Sequence, residues 1–353
     1  MFSHPPLLPT LLATAVAVAL TACPTPLSQA QKPPASPFVR GMGLGLFATN
    51  ANYNYAHLLD EIRDLGATDV LLVIPLYQQN VSSHDIDRRP GKTPSDVAVL
   101  RTLQQAKARG LRTSVLPIVR LTDRSRRQWR GRIQPKAGVD AWFAAYEKHL
   151  LRYATIAERG GADRFVVGSE LLSLERHERQ WRLLIGATRK VFTGKLTYSA
   201  NWDHFDPIQF WDALDEVGVT AYFELVSHDG QVTDLELDKG WVGPAAGLAR
   251  LQRRLRKPLF ITEVGYPAKV TAARYPWDET RKAALAPDLQ AQLYRAFCRN
   301  LRPHPDDQAA LRLSGFFFWN WFGFGGLQDG DYTPRGKPAA EEARRCYADK
   351  RWD

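Results

Sequence analysis

Two glutamates in the sequence each come directly after a largely apolar run. Glu170 follows residues 165–169 (FVVGS), and Glu263 follows residues 259–262 (LFIT). A carboxylate beside a buried strand loses hydration, so a catalytic or structural partner must compensate it. Two carboxylates that face each other suit glycosidic bond cleavage, where one protonates the leaving oxygen and the other attacks the anomeric carbon or activates water. The alternative is a pair of structural carboxylates, each bound to an arginine.

The elements that must position these residues alternate between strand and helix from residue 41 onward. The hydrophobic pattern predicts strands over residues 41–47, 69–77, 112–121, 164–171, 195–202, 217–223, 259–266 and 313–321. Helices are expected over residues 55–65, 94–110, 139–159, 178–192, 208–214, 245–256, 289–301 and 338–348. Eight such units with near-continuous apolar strands predict an α/β fold, a single (β/α)8 TIM barrel over residues 39–353.

Motifs for other chemistries are absent from the sequence. Gly41, Gly43 and Gly45 lie within the first predicted strand, and no GxGxxG turn follows it, which argues against an open doubly wound sheet. The sequence contains no HExxH, CxxC or clustered histidine pattern and no GxSxG elbow. We therefore expect neither a metal nor a cofactor.

In a barrel, the side chains that do chemistry lie at the carboxyl ends of the strands and in the loops that follow. The residues expected to bind substrate are Tyr77, Arg120, Trp129, Asn201, Trp202, Tyr222, Trp319 and Trp321. Tyr222 could donate a hydrogen bond to Glu263 and hold it ionised, or be an ordinary rim aromatic. Arg120 could order the Glu263 side of the cleft, or merely belong to the basic segment of residues 101–132. We expect only one of Trp319 and Trp321 to face the cleft, and the other to pack against a helix.

Several segments around these residues resemble a known enzyme family. They read WRGRIQP at 129–135, WFAAY at 142–146, YA at 153–154, VGSEL at 167–171 and ITEVGY at 261–266. With glutamates on strands four and seven, the chain resembles the clan A glycoside hydrolases and, more narrowly, glycoside hydrolase family 113, which includes β-1,4-mannanases. The resemblance implies that Glu170 is the acid/base and Glu263 the nucleophile. Most of the clan has Asn before the acid/base, where this chain has Ser169, so Asn201 is a candidate for binding the sugar 2-hydroxyl.

The resemblance implies a retaining endo-β-glycosidase that acts on β-mannan or glucomannan. Retaining enzymes place the two carboxyl groups about 5–5.5 Å apart. Glu170 then needs a raised pKa to be protonated near neutrality, and Glu263 must stay charged. Two alternatives stay open: cleavage of an acidic exopolysaccharide or cell-envelope glycan, and a catalytically silent glycan-binding lipoprotein.

The N-terminal segment reads as a targeting signal. Residues 1–22 contain no Lys, Arg, Asp or Glu and are mostly apolar from residue 7 to 20, which predicts a signal peptide. The LTAC sequence at 20–23 resembles a bacterial lipobox, so we expect lipidation at Cys23 and a proline-rich tether over residues 23–38. The protein would be exported and lipid-anchored to the cell envelope; secretion without an anchor and a membrane-spanning helix are the alternatives. In an oxidising compartment Cys298 and Cys346 could form a disulfide.

The chain of 353 residues carries a formal charge of +10, with 44% hydrophobic and 24% charged residues. This composition excludes disordered, collagen-like and multi-span membrane classes. Residues 101–132 contain ten basic residues and one acid, so this segment holds +9 of the charge. Its arginine-rich loop, residues 124–132, is either solvated or favours an anionic glycan. We expect a monomer whose partners are a polysaccharide and, through the lipid anchor, a membrane, without nucleic acid.

Overall fold

The computed structural model describes residues 1–4, 37–123, 125, 128–303 and 311–352. Cys23 and most of the predicted signal peptide and tether lie outside these residues, so lipidation and export stay predictions. Arg124, Arg126 and Arg127 of the arginine-rich loop lie outside them as well. Within the described part of the chain, no helix is long and apolar enough to cross a membrane.

Eight parallel strands form a closed barrel in which neighbours in sequence are neighbours in space. The strands are β1 (Val39–Gly45), β2 (Asp69–Gln78), β3 (Arg112–Leu121), β4 (Arg164–Ser169), β5 (Lys195–Ala200), β6 (Val217–Thr220), β7 (Leu259–Val264) and β8 (Leu313–Phe318). Pairing of β1 with β8 closes the barrel. The predicted (β/α)8 TIM barrel is confirmed.

Helices connect the strands around the outside of the barrel. Those in the described residues are α1 (Ala56–Asp64), α2 (Asp96–Ala108), α3 (Val139–Arg159), α4 (Leu172–Glu175), α5 (Glu178–Arg189), α6 (Asp234–Leu255), α7 (Pro287–Leu301) and α8 (Pro338–Ala348). The helix expected over residues 208–214 is a single 3₁₀ turn, Trp211–Ala213. The short helix α4, which begins two residues after Glu170, was not predicted.

Helix α6 begins at Asp234, well before the predicted start at residue 245. The prediction was wrong because Gly240, Gly243 and Pro244 are typical helix breakers, and yet Pro244 lies inside the helix. A capping box defines the true start. The Thr233 hydroxyl accepts a hydrogen bond from the backbone N–H of Glu236 at 3.2 Å, and the Glu236 carboxylate accepts one from the backbone N–H of Thr233 at 2.7 Å.

Side chains along β2 alternate between two apolar layers, as the two-residue period of a strand requires. Leu71 and Val73 point into the barrel, where they form a cluster with Leu116, Ile118, Val166, Phe260 and Phe317. Val70 and Leu72 point outward into the larger core beneath the helices. Burial of both layers removes apolar surface from water and is the main force that holds the barrel.

A cluster of three charged residues lies at the amino-terminal end of the barrel. The Arg164 Nε lies 2.5 Å from a Glu216 carboxylate oxygen, and the Lys195 ammonium lies 2.7 Å from the other oxygen. The Arg164 guanidinium also lies 4.8 Å from the centre of the Phe260 ring. Charged groups at this end of a barrel serve stability, so the acidic residues relevant to chemistry are those at the opposite end.

Five of the strands that carry expected site residues, β4 to β8, end earlier than predicted. They stop at Ser169, Ala200, Thr220, Val264 and Phe318. Register shifts interrupt the pairing of β4 with β5, β6 with β7 and β7 with β8. The backbone therefore leaves the regular sheet where the candidate site begins, and its side chains can turn toward the barrel axis.

A disulfide joins the last two helices of the barrel. Cys298 on α7 and Cys346 on α8 are bonded, with their Cα atoms 5.8 Å apart and a separation of 48 positions in sequence. Closing a loop of that length restricts the unfolded chain and stabilises the fold by roughly 4 kcal/mol.

Candidate active site

Glu170 occupies the first position after β4 and has an unusual backbone. Its φ is +53°, in the left-handed region that residues with a Cβ rarely adopt. The backbone N–H of Glu170 donates to the Ser199 carbonyl at 2.9 Å. This turn directs a carboxyl group that is 8% exposed toward Arg130, whose Nη2 donates to Glu170 Oε2 at 2.6 Å.

Glu263 lies inside β7 and is 1% exposed. Two hydroxyl groups reach its carboxylate. Ser169 Oγ donates to Oε1 at 3.2 Å, and Tyr222 Oη donates to Oε2 at 3.1 Å. The Ser169 contact connects the two glutamates, because Ser169 directly precedes Glu170 in the chain.

The electrostatic surroundings of the two glutamates differ. Burial raises the pKa of Glu263 to about 7, and repulsion from Glu170 adds to the rise, while Arg130, Tyr222 and Ser169 act against it. Burial disfavours the charge on Arg130, but attraction to both glutamates outweighs this and raises the pKa of Arg130. Arg130 therefore stays a cation, and Glu263 is partly protonated near neutrality. This differs from the expectation of a Glu263 that is always charged.

The raised pKa predicts that Glu263→Gln stabilises the folded protein most at high pH. The carboxyl group has a pKa near 4.5 when unfolded and about 7 when folded. The unfolded chain thus ionises first as the pH rises, and the folded state loses stability between these two values. The substitution should add about 3 kcal/mol to the free energy of unfolding at pH 8 and little at pH 4. Thermal unfolding followed by circular dichroism at both pH values measures the gain.

Glu224→Gln is the matched control, because Glu224 lines the same cavity with an exposed side chain. This control should give no comparable gain at pH 8, because the Glu224 side chain is already in contact with solvent. An equal gain at pH 4 and pH 8 for Glu263→Gln would contradict the expectation.

A cavity of about 1260 Å³ opens at the carboxyl ends of the strands and contains both glutamates. Six further residues expected from the sequence line it: Arg120, Trp129, Asn201, Trp202, Tyr222 and Trp319. The structure therefore brings together most of the expected site.

Aromatic side chains form the walls of this cavity. The Trp202 ring stacks on Trp277, with ring centres 5.3 Å apart and planes inclined by 22°. The Arg120 guanidinium lies 4.9 Å from the centre of the Phe47 ring. Trp129 packs over Gly131, where an added Cβ would lie 2.3 Å from ring atoms. Flat apolar faces of this kind suit the faces of sugar rings.

Two expected substrate-binding residues do not line the cavity. The Tyr77 hydroxyl donates to the Lys92 carbonyl at 3.4 Å, and the Arg89 guanidinium lies over its ring. The Trp321 indole N–H donates to Glu61 of α1 at 2.7 Å. Trp319, in contrast, faces the cavity. As expected, one tryptophan of this pair faces the cavity and the other does not. Residues two apart in a regular strand share a face, so both side chains would point the same way if β8 continued. They point differently because β8 ends at Phe318, before either of them.

Several further cavity residues were not among the expected substrate-binding residues. They are Phe47, Gln128, Arg130, Arg132, Asp203, Glu224, Trp277, Asp278, Glu279 and Tyr332. Arg130 belongs to the WRGRIQP segment, which carries part of the family resemblance. The sequence alone does not show that this arginine contacts Glu170. Tyr332 comes from the segment after β8, and its hydroxyl donates to the Pro276 carbonyl at 2.7 Å. Such contacts join loops that are far apart in sequence.

The positive charge of residues 101–132 is divided among different parts of the surface. Arg109 pairs with Asp60, and Arg112 pairs with Asp69, both away from the cavity. Among the described residues that line the cavity, six are acidic (Glu170, Asp203, Glu224, Glu263, Asp278, Glu279) and three are basic (Arg120, Arg130, Arg132). The described lining is therefore more acidic than basic. In the described residues, no group of three or more His, Cys, Asp or Glu side chains could hold a metal ion.

A closed (β/α)8 barrel with two buried glutamates at the carboxyl ends of β4 and β7 defines a barrel glycoside hydrolase. The model of glycoside hydrolase family 113 matches residues 42–328. The chain belongs to glycoside hydrolase family 113.

Solved structures of this family are similar over most of the chain. The family 113 β-mannanase AaManA from Alicyclobacillus acidocaldarius, in complex with ManMIm, is 27% identical with a TM-score of 0.76, over 89% of this chain and 98% of that one. A complex of a family 113 β-1,4-mannanase is 24% identical with the same TM-score of 0.76, over 89% and 100% of the two chains. A family 5 protein from Streptomyces cattleya shares the fold at 13% identity and a TM-score of 0.52, over 88% and 80%. No curated protein sequence matches the chain.

Proposed function

We propose that the protein is a retaining endo-β-1,4-mannanase in which Glu170 is the acid/base and Glu263 the nucleophile. The observation that carries the proposal is the placement of both glutamates in one cavity, with Ser169 and Tyr222 donating to Glu263. The similarity to AaManA, which is described as a β-mannanase, supports the choice of substrate.

The proposed reaction proceeds in two displacements. Glu170 transfers its proton to the glycosidic oxygen while a Glu263 oxygen attacks the anomeric carbon, so the sugar–oxygen bond breaks and a glycosyl ester forms. A water molecule then attacks the same carbon, Glu170 takes the proton from this water, and Glu263 leaves. Each step inverts the anomeric carbon, and the product retains the starting configuration.

The reaction requires a proton on Glu170 and a charged Glu263. The two hydroxyl donors on Glu263 favour its charged form, whereas in the free protein Arg130 donates a hydrogen bond to Glu170. We propose that the glycosidic oxygen takes the place of Arg130 beside Glu170, and that the proton then resides on Glu170.

A neutral glycan suits the charges that line the cavity. The described lining has six acidic and three basic residues, and two of the basic ones are Arg130, paired with Glu170, and Arg120, stacked on Phe47. An anionic polymer would face like charges, which are costly at close range. The cavity of about 1260 Å³ is larger than ordinary small-molecule sites, and this supports binding of several sugar units, as endo cleavage requires.

A panel of polysaccharides tests the substrate and the stereochemistry together. We expect release of oligosaccharides from β-1,4-mannan and glucomannan, at least about 100-fold faster than from alginate or polygalacturonate. Proton NMR at early times should show the β-anomer as the first product. Initial formation of the α-anomer would contradict the retaining mechanism, and a preference for the acidic polymers would contradict the neutral substrate.

A further inference from the structure

A line of polar side chains lies behind the cavity and ends at the backbone next to Glu170. The Tyr198 hydroxyl accepts a hydrogen bond from the backbone N–H of Leu171 at 2.9 Å and donates to Glu175 Oε1 at 2.7 Å. The other oxygen of Glu175, Oε2, lies 2.6 Å from Nδ1 of His204. These contacts link α4, β5 and the loop after β5.

The members of this line differ in exposure. Tyr198 is fully buried, and the side chain of Glu175 is 2% exposed, whereas that of His204 is 40% exposed. Burial raises the pKa of Glu175, and the hydrogen bonds from Tyr198 and His204 act against this rise. A buried carboxylate costs more than an apolar residue of the same size unless its position serves a purpose. The reaction proposed above does not use Glu175.

The backbone at Glu170 needs support from its surroundings. With a φ of +53°, this residue is in a conformation that is unfavourable for any side chain with a Cβ. Two contacts fix the peptide groups on either side of its Cα: the Ser199 carbonyl accepts from the N–H of Glu170, and the Tyr198 hydroxyl accepts from the N–H of Leu171. Both acceptors belong to β5.

We propose that Glu175, Tyr198 and His204 are positioning residues for the acid/base. Glu175 fixes the orientation of the Tyr198 hydroxyl, and this hydroxyl holds the peptide between Glu170 and Leu171, so that the Glu170 carboxyl group points at the leaving oxygen. The inference rests on the proposed role of Glu170.

The same line connects the acid/base to the substrate-binding loop. The backbone N–H of His204 donates to the Asn201 carbonyl at 2.9 Å, and Asn201, Trp202 and Asp203 line the cavity. A sugar bound against this loop therefore rests on the element that also orients Glu170. Catalysis depends on placing such groups within a fraction of an ångström.

The experiment compares two substrates that differ in how much they need acid catalysis. Mannopentaose has a poor leaving group that must be protonated, whereas 2,4-dinitrophenyl β-mannobioside has a leaving group that departs without a proton. For Tyr198→Phe and Glu175→Gln we expect kcat/KM to fall about 10- to 100-fold on mannopentaose. On the dinitrophenyl substrate, kcat/KM should stay within about threefold, while kcat should fall because Glu170 must still deprotonate the incoming water.

Tyr294→Phe is the matched control. Tyr294 is also a fully buried tyrosine beside a barrel strand, with its ring 4.4 Å from that of Phe318, and its hydroxyl has no hydrogen-bond partner among the described residues. This variant should retain both activities. An equal loss on both substrates in Tyr198→Phe and Glu175→Gln, or no loss on either, would overturn the inference.

Two further variants keep the outcome decisive. His204→Gln changes a partly exposed side chain and therefore serves if a buried variant fails to fold. It must show the same selective loss of activity on mannopentaose, at a smaller size. An equal loss on both substrates, or no loss on either, overturns the inference.

Glu170→Ala tests the proposed function separately. If Glu170→Ala is not selective between the substrates, the acid/base assignment itself is wrong; if it is selective and the three positioning variants are not, only the present inference is wrong.

Discussion

Glu263→Ala should lower kcat on β-mannan by at least about 10⁴-fold, because no carboxylate is left to attack the anomeric carbon. The lost group is buried and accepts hydrogen bonds from Ser169 and Tyr222, and no other carboxylate among the described residues shares these contacts. Reducing-end release from mannan measures the loss. Circular dichroism should show an intact fold, since the substitution removes a group whose burial destabilises the protein near neutrality.

Small anions make the test of Glu263 specific. In Glu263→Ala, azide can enter the space of the missing carboxylate and attack a dinitrophenyl β-mannobioside from that side, which should give the α-glycosyl azide. Glu224→Ala is the control, because it removes an exposed carboxylate from the same cavity and should keep activity within about tenfold. Substantial residual turnover of Glu263→Ala, or a β-glycosyl azide as product, would contradict the nucleophile assignment.

The barrel could be predicted from the sequence because its determinants are local. A continuous apolar run such as that of β2 is stable only in the buried interior of the protein. The bounds of β3, α3 and α8 agree with the predicted bounds. The predicted helix over residues 245–256 is shorter than α6, because Gly240, Gly243 and Pro244 disfavour a helix locally, whereas the Thr233–Glu236 capping box begins it at Asp234. Local patterns therefore suffice where packing and local preference agree.

The ends of the strands could not be predicted in the same way. The sequence around Glu170 reads as a continuing strand, but the chain turns there into a left-handed conformation and then into α4. The hydrogen bonds to Ser199 and Tyr198 make this turn possible, and they come from the next strand. Conflict between local preference and tertiary contacts is expected where function constrains the backbone.

The residues of the candidate site were likewise predictable where they follow from the barrel, and not where they depend on tertiary contacts. The two glutamates and six of the eight expected substrate-binding residues line the cavity, since strand ends in a barrel converge. The partner of Glu170 was missed, because the contact between Arg130 and Glu170, at 2.6 Å, joins residues that lie 40 positions apart in sequence. A count of charges along the sequence placed this arginine in a basic loop, whereas in the structure it balances two buried glutamates.

Glu170→Ala should lower kcat/KM on mannopentaose by about 10²- to 10⁴-fold and leave kcat/KM on 2,4-dinitrophenyl β-mannobioside nearly unchanged. The difference follows from the chemistry, because only the sugar leaving group needs a proton. On the dinitrophenyl substrate, kcat should still fall, since no base remains to activate water in the second step. Azide should restore kcat by attacking the glycosyl ester directly, and the product should be the β-glycosyl azide.

The pH profile of Glu170→Ala adds a check that depends on the charges around Glu263. Repulsion from Glu170 contributes to the raised pKa of Glu263, so removal of Glu170 should lower this pKa and move the acidic limb of kcat/KM to lower pH. Arg130 loses its partner in the variant and can only lower the pKa of Glu263 further. The alkaline limb, which reports deprotonation of the acid, should disappear. An unchanged alkaline limb would show that another group donates the proton, and an acidic limb moved to higher pH would show that Glu170 and Glu263 are not coupled as the structure places them.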